Sequence, residues 1–256
     1  MPRYRLLLEY DGGCFCGWQS QAIPLPQERA AQTRISVQDT LIRAVEDFCG
    51  ERVAVAGAGR TDSGVHALGQ VAHFDLERQV DGLRLREALN FHLREAGVVV
   101  LEAGEAAADF HARFDATARR YIYRICNRRA SPIIDRGRVW HVRKPLDAGA
   151  MDAAAKRLLG QHDFTTFRST RCQAKSAVKT LDRLDVVRED CELRIYGRAR
   201  SFLYHQMRSM VGALKLVGEG KWTGEDIARA LEARSRSACP TIAPAAGLYL
   251  EAVEYD

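Results

Sequence analysis

No run of apolar residues in this 256-residue chain approaches the length of a membrane span. The start, Met1-Pro2-Arg3-Tyr4, opens no signal-peptide hydrophobic region, so the expected location is the cytoplasm. Cysteine is sparse and badly spaced for bridging. The seven cysteines stand at 14, 16, 49, 126, 172, 191 and 239, an odd count with no Cys-x-x-Cys pair, which argues against a disulfide framework and for a reducing compartment. Cys14-Phe15-Cys16 is too closely spaced for a zinc knuckle, and no histidine pair complements it, so no metal is expected. There is no Ser-centred nucleophile motif and no visible internal repeat.

What is present is an ordinary globular composition, 46% hydrophobic and 28% charged, long enough for a core in one or two domains. The net charge of +5 is modest; its distribution says more. From Arg113 to Arg138 the chain holds eight arginines, among them Arg119 and Arg120, against Asp115 and Asp135, a local net of +6. Arg168, Arg171, Lys175 and Lys179 form a second basic stretch, and Arg194, Arg198 and Arg200 a third. The guanidinium fork suits phosphate oxygens, which favours a nucleic-acid partner over the plainer reading of a solvated surface.

Apolar periodicity divides the chain in two. Tyr4, Leu6, Leu8 and Tyr10 alternate as a strand over 3–10. Ser36 opens a capping box, followed by Val37, Leu41, Ala44, Val45 and Phe48 at helical spacing. Val53–Ala56 and Gly69–Phe74 read as strands, Leu83–Leu93 as a helix and Val98–Leu101 as another strand. The second half repeats the plan loosely. It has strands at Tyr121–Cys126, Leu181–Val187, Leu193–Ala199 and Leu248–Val253, and helices after Asp147, over Tyr204–Val217 and after Thr223. The small-residue stretch 104–108 suggests a boundary, giving domains 1–105 and 106–256, each a split β-α-β unit of α+β class with a mostly antiparallel sheet. Residues 20–35, with Pro24 and Pro26, are irregular; a mobile loop over a cleft and a simple surface excursion fit them equally.

The most informative segment is Gly57-Ala58-Gly59-Arg60-Thr61-Asp62-Ser63-Gly64-Val65-His66. It places one carboxylate, Asp62, between glycines that permit a sharp bend and close approach of a ligand. An ordinary turn accounts for the same residues. A dinucleotide loop does not, because the third glycine is missing and a strand follows.

This block resembles the signature of the TruA-type tRNA pseudouridine synthases. The resemblance extends through Glu9-Tyr10-Asp11-Gly12 with Gly17-Trp18-Gln19, and through Gln38 and Leu41. It continues in Phe110-His111-Ala112-Arg113-Phe114 with Ala118-Arg119-Arg120-Tyr121-Ile122-Tyr123, and in Leu159-Gly160-x-x-Asp163-Phe164 with Phe167-Arg168. The last blocks are Phe202-Leu203-Tyr204-His205-Gln206-Met207-Arg208 with Val211-Gly212, and Gly247-Leu248-Tyr249-Leu250. The chain departs from the family at Ser63, where alanine is common, at Asn90–Arg94, which lacks a proline, and in the longer segment between Gln19 and Val37.

The resemblance implies two related domains with their sheets joined around a basic cleft. It implies a homodimer acting on uridines 38, 39 and 40 of the tRNA anticodon arm, with no cofactor. Asp62 is then the catalytic carboxylate, attacking C1′ or taking a proton from C2′. Arg208 matches the arginine that pairs with it; a cation keeps a carboxylate charged where water is excluded. Tyr121 matches the active-site tyrosine, although a core tyrosine fits its strand as well. Arg60 matches a residue that displaces the target base, and Leu248 an apolar residue near the uracil. Arg119, Arg120 and Arg168 are expected on the RNA backbone. His66, His73, His111 and His205 form no metal-spaced pair and read as packing or RNA contacts. A non-catalytic RNA-binding module would keep the basic clusters without needing Asp62, and a hydrolase would release uracil.

Overall fold

Alternation at the N-terminus becomes strand β1, Arg3–Tyr10, whose Tyr4, Leu6, Leu8 and Tyr10 are all buried. The computed structural model describes residues 1–20 and 35–256, so nearly all of the irregular 20–35 stretch lies outside the described residues. Two units emerge: Met1–Thr117 with Leu250–Asp256, and Ala118–Tyr249.

In the first unit, β1 lies between β3 (His66–Asp75) and β4 (Val98–Ala106), antiparallel to both; Leu6 faces Ala72 on one side and Ala103 on the other. Helix α1 (Val37–Cys49) starts where the Ser36 side chain accepts from the Asp39 amide, and stops at Gly50, whose φ of 78° supplies the left-handed cap. It buries Val37, Leu41, Ala44 and Val45. Helix α2 (Gly82–His92) is capped by Asp81 and buries Leu85 and Leu89.

The strand expected over 53–56 shrinks to β2, Ala56–Gly57, paired with His73 and Ala72 of β3. The Val55 carbonyl instead accepts the Gln38 side-chain amide at 2.7 Å, so a helix side chain occupies a position a ladder would use. Segment 107–117 stays with the first unit. The Ala112 amide donates to His73 Nδ1 at 3.2 Å, the Tyr255 hydroxyl donates to the Ala112 carbonyl at 2.7 Å, and the Thr117 amide to the Glu254 carbonyl at 2.8 Å.

In the second unit, β5 (Ala118–Cys126), β9 (Glu192–Ala199), β8 (Val178–Glu189) and β7 (Gly160–Asp163) pair antiparallel in that order. A two-residue β6 (Trp140–His141) joins β5 in parallel. Helix α3 (Ala148–Ala155) is capped by Asp147 and packs on β8, α4 (Gln206–Gly218) and α5 (Gly224–Glu232). Helix α5 opens with a full capping box between Thr223 and Asp226. Helix α4 begins two residues later than its apolar spacing suggests, because His205 takes a left-handed φ of 68°. The last strand, β10 (Leu248–Glu254), is divided: Leu248 and Tyr249 belong to the second unit and the rest to the first. The class is α+β with mostly antiparallel pairing.

Candidate active site

Asp62 sits half-buried on a turn fixed by backbone contacts on both sides. Gly17 and Asp62 form an antiparallel bridge, the Trp18 amide donates to the Thr61 carbonyl at 3.0 Å, and the Val65 amide closes the turn on the Asp62 carbonyl at 3.1 Å. Gly17 is required here. Its φ is +118°, and a Cβ would lie 2.9 Å from the Thr61 carbonyl oxygen. Gly12 is required for another reason: a Cβ there would stand 2.1 Å from the Val65 carbonyl oxygen. Two motifs far apart in sequence are thus pressed backbone to backbone around the carboxylate.

Beneath the turn lies a buried polar chain. The Tyr10 and Thr61 hydroxyls bond at 2.8 Å, and Gln70 Nε2 donates to the Gly59 carbonyl at 2.8 Å and reaches the Tyr10 hydroxyl at 3.5 Å. Burial pushes the Tyr10 phenol up to about 12, with the Thr61 and Gln70 bonds pulling the other way. His66 Nδ1 accepts from the Gly12 amide at 3.1 Å, which gives this histidine a structural task. No sequence pattern marks Tyr10, Thr61 or Gln70 as partners at the site. A hydroxyl pair separated by 51 positions leaves no local pattern. Arg60, two residues before Asp62, is exposed.

The second unit carries the other expected residues on regular elements. Tyr121 lies on β5 opposite Gly197, half-buried, with its ring edge-on to Phe202 at 5.1 Å. Its neighbour Tyr123 is the core tyrosine of that strand, fully buried, its hydroxyl donating to the Pro244 carbonyl at 2.7 Å. Burial drives the Tyr123 phenol far up, and the charge of Arg208 opposes this, which places Arg208 near that ring.

Arg208 occupies the first turn of α4, where the helix dipole disfavours a cation. Its position is held from outside the helix. Nε donates to the Ala243 carbonyl at 2.8 Å, and the Ala243 amide donates back to the Arg208 carbonyl at 3.1 Å. Helix stability therefore does not account for an arginine at this position. Leu248 is buried at the start of β10, immediately after Gly247, whose missing side chain leaves room for the Tyr123 ring.

Several of the arginines have structural partners. Arg124 grips Glu192 with two bonds of 2.9 and 2.8 Å, and Arg194 bonds the same carboxylate at 2.8 Å. Burial would raise the Glu192 carboxyl, but these guanidiniums outweigh it and hold it below its ordinary range. Arg198 pairs with Asp182 at 3.0 Å. Arg119 is 8% exposed, and its Nη1 donates to the Arg200 carbonyl at 2.8 Å. Arg120 and Arg168 are half-buried, and Arg168 lies near enough to Asp163 to help lower that carboxyl, whose main support is Thr165. Among the described residues no group of three or more His, Cys, Asp or Glu side chains is arranged to hold a metal.

A carboxylate on a pinned turn, backed by a dry hydroxyl pair, is suited to attack or proton abstraction at one fixed point. The family model described as tRNA pseudouridine synthase matches residues 9–115 and 154–256. These spans include Arg60, Asp62, Arg168, Arg208 and Leu248 and leave out Arg119, Arg120 and Tyr121. The protein called tRNA pseudouridine synthase A in Nitrobacter winogradskyi is 56% identical over 256 residues, covering 100% of this chain and 96% of its own length. Proteins of the same name in Rhodopseudomonas palustris and Mesorhizobium japonicum are each 54% identical, with full coverage of both chains. No helix among the described residues is long and apolar enough to cross a membrane. From the matched spans and these full-length relatives, the chain belongs to the tRNA pseudouridine synthase family.

Proposed function

We propose that this isomerase converts uridine to pseudouridine in the anticodon arm of tRNA, at positions 38, 39 and 40, with Asp62 as its catalytic carboxylate. The observation that carries the reading is the placement of Asp62 on a turn bridged to Gly17 and backed by the Tyr10–Thr61 pair. The reaction breaks the C1′–N1 bond, turns the uracil and joins C1′ to C5; the C5 proton leaves and N1 gains one, so composition is unchanged. A carboxylate serves either route. It bonds to C1′ as uracil departs and is displaced when C5 returns, or it removes the C2′ proton to open the bond. Both routes require Asp62 charged and held in one orientation.

The remaining roles follow from chemistry. Arg208, anchored at Ala243, supplies the fixed cation that orients Asp62. Tyr121 offers a ring for uracil, Leu248 an apolar neighbour, and exposed Arg60 a group to displace the target base. Arg119, Arg120 and Arg168 take the RNA backbone. The expected assembly is a cytoplasmic homodimer of two split β-α-β domains around a basic cleft, needing no cofactor. Mapping pseudouridine in tRNA from cells with and without the gene tests the reading. Loss confined to positions 38–40 supports it; unchanged tRNA overturns it.

A further inference from the structure

Phe114 is an aromatic ring left 71% exposed on a turn that is otherwise tightly built. A lone exposed apolar side chain is commonplace. This one is the outer member of a stack. The His111 ring lies 4.3 Å from it, tilted by only 34°, and His111 in turn meets His73 edge-on at 4.7 Å. The Arg113 guanidinium lies 5.9 Å from the Phe114 centroid.

The platform is rigid. His111 Nδ1 accepts from the amides of Arg113 at 3.1 Å and Phe114 at 3.4 Å, and the Asp115 carboxylate accepts the His111 amide at 2.7 Å. Ala112, at the centre of the turn, is fully buried against Ala58 and Val71. The backbone that presents the ring is therefore already ordered before binding, which lowers the ordering cost.

Phe91, the other strongly exposed phenylalanine among the described residues, also has a guanidinium beside it, Arg94 at 4.3 Å from the ring centroid, but its ring meets His92 edge-on, at 85°, and so does not continue a tilted stack of rings. The Ile133–Ile134 pair is exposed but has no π face to offer.

We propose that Phe114 is a stacking site for an unpaired nucleobase of the tRNA, with Arg113 beside it to meet the adjoining phosphate. The proposal rests on tRNA being the substrate. Its occupant follows from charge as well as shape, since the Arg113 guanidinium stands beside the exposed ring. A flat ring next to a guanidinium matches a base joined to a phosphate, and base–aromatic stacking tolerates any sequence.

The test uses the full chain and whole tRNA. Phe114→Ala and Phe114→Leu should each weaken tRNA binding by roughly 5- to 150-fold, the span expected for one lost base stack. Phe114→Trp should bind at least as tightly as the parent and show tRNA-dependent quenching of fluorescence beyond the parent's own change. Single-turnover conversion with saturating enzyme should stay within about twofold, because the site holds RNA and does no chemistry. Parental affinity in Phe114→Ala overturns the proposal. Full retention in Phe114→Leu overturns it as well, because apolar bulk would then suffice. So does a change of sedimentation with unchanged tRNA affinity, which would make this face a contact for a second copy. If the parent itself forms no pseudouridine, the functional reading falls too; if the parent converts tRNA while the variants bind normally, only the Phe114 site is lost.

Discussion

The Asp62 turn in the first unit and the Arg208 turn in the second place their charged groups by opposite means. Asp62 belongs to an irregular segment positioned by backbone contacts (the Gly17 bridge, the Trp18 and Val65 amides, and glycines where a methyl group would collide) and by the side chains of Tyr10 and Gln70 beneath it. Arg208 stands on a regular helix and is positioned by its own side chain, through a donated bond to Ala243. A turn held by backbone tolerates exchange of its side chain; a side chain held by its own hydrogen bond does not. The lesson is that isosteric substitutions should separate chemistry from architecture at Asp62 and mix them at Arg208.

The sharpest test of that contrast is Asp62→Asn. The turn should survive, because the Gly17 bridge and the Trp18 and Val65 amide bonds are made by the backbone, while conversion falls on the order of 10³-fold or more. Single-turnover assays with circular dichroism check both parts; a variant that still converts tRNA breaks the assignment. Arg208→Lys comes next. Lysine keeps the charge but loses both the planar fork and the Nε bond to Ala243. If Arg208 orients Asp62 as proposed, a displacement of about 1 Å at the carboxylate corresponds to roughly a 100-fold loss of rate. Binding should change far less, and an unaltered single-turnover rate would detach Arg208 from Asp62.

The third test concerns the layer beneath Asp62. Tyr10 has a pKa raised to about 12 by burial, so its neutral form is favoured by the fold. The associated stability, about 3 kcal/mol, is complete below pH 10 and is lost as the pH rises from 10 through 12. In Tyr10→Phe this alkaline loss should shrink at the cost of an unpaired Thr61 hydroxyl, about 1–3 kcal/mol at neutral pH. Tyr123 shifts in the same direction, so part of the alkaline loss should remain in the variant. Denaturant melts between pH 8 and 12 check it, and an unaltered pH profile would contradict the burial argument.

The smallest effect is electrostatic. Replacing Arg120 or Arg168 by alanine should each lower the log–log salt slope of tRNA binding by roughly 0.9 if the residue meets a duplex phosphate. Arg119→Ala also removes the bond to the Arg200 carbonyl, so its slope must be read beside a melting temperature.

Legibility in the sequence followed the range of the forces involved. Strand β1 and helix α1 show in their periodicity, since each buries one face along its length. Strand β7, Gly160–Asp163, has no alternation to read and is held by its partner β8. Val53–Val55 has strand-forming residues but no ladder, and at Val55 the carbonyl is taken by Gln38. The apolar spacing places the start of α4 two residues early because His205, not glycine, takes the left-handed turn. At the site, the Asp62 loop was visible as a motif, whereas Tyr10–Thr61–Gln70 depends on contacts across 51 and 60 positions that no local pattern records.

The divided ownership of β10 has a consequence in time. The first unit is not a continuous stretch of chain: Val253 and Tyr255 pack on its Ala58–Val71–Ala112 cluster, and Tyr255 bonds Ala112. Between Thr117 and Leu250 the ribosome must first make all of Ala118–Tyr249. At ordinary elongation speeds that interval is roughly 7 to 26 s. For those seconds the segment bearing Asp62 exists without the residues that close its apolar cluster. The carboxylate turn is therefore among the first parts of the protein to be synthesised and among the last to be sealed.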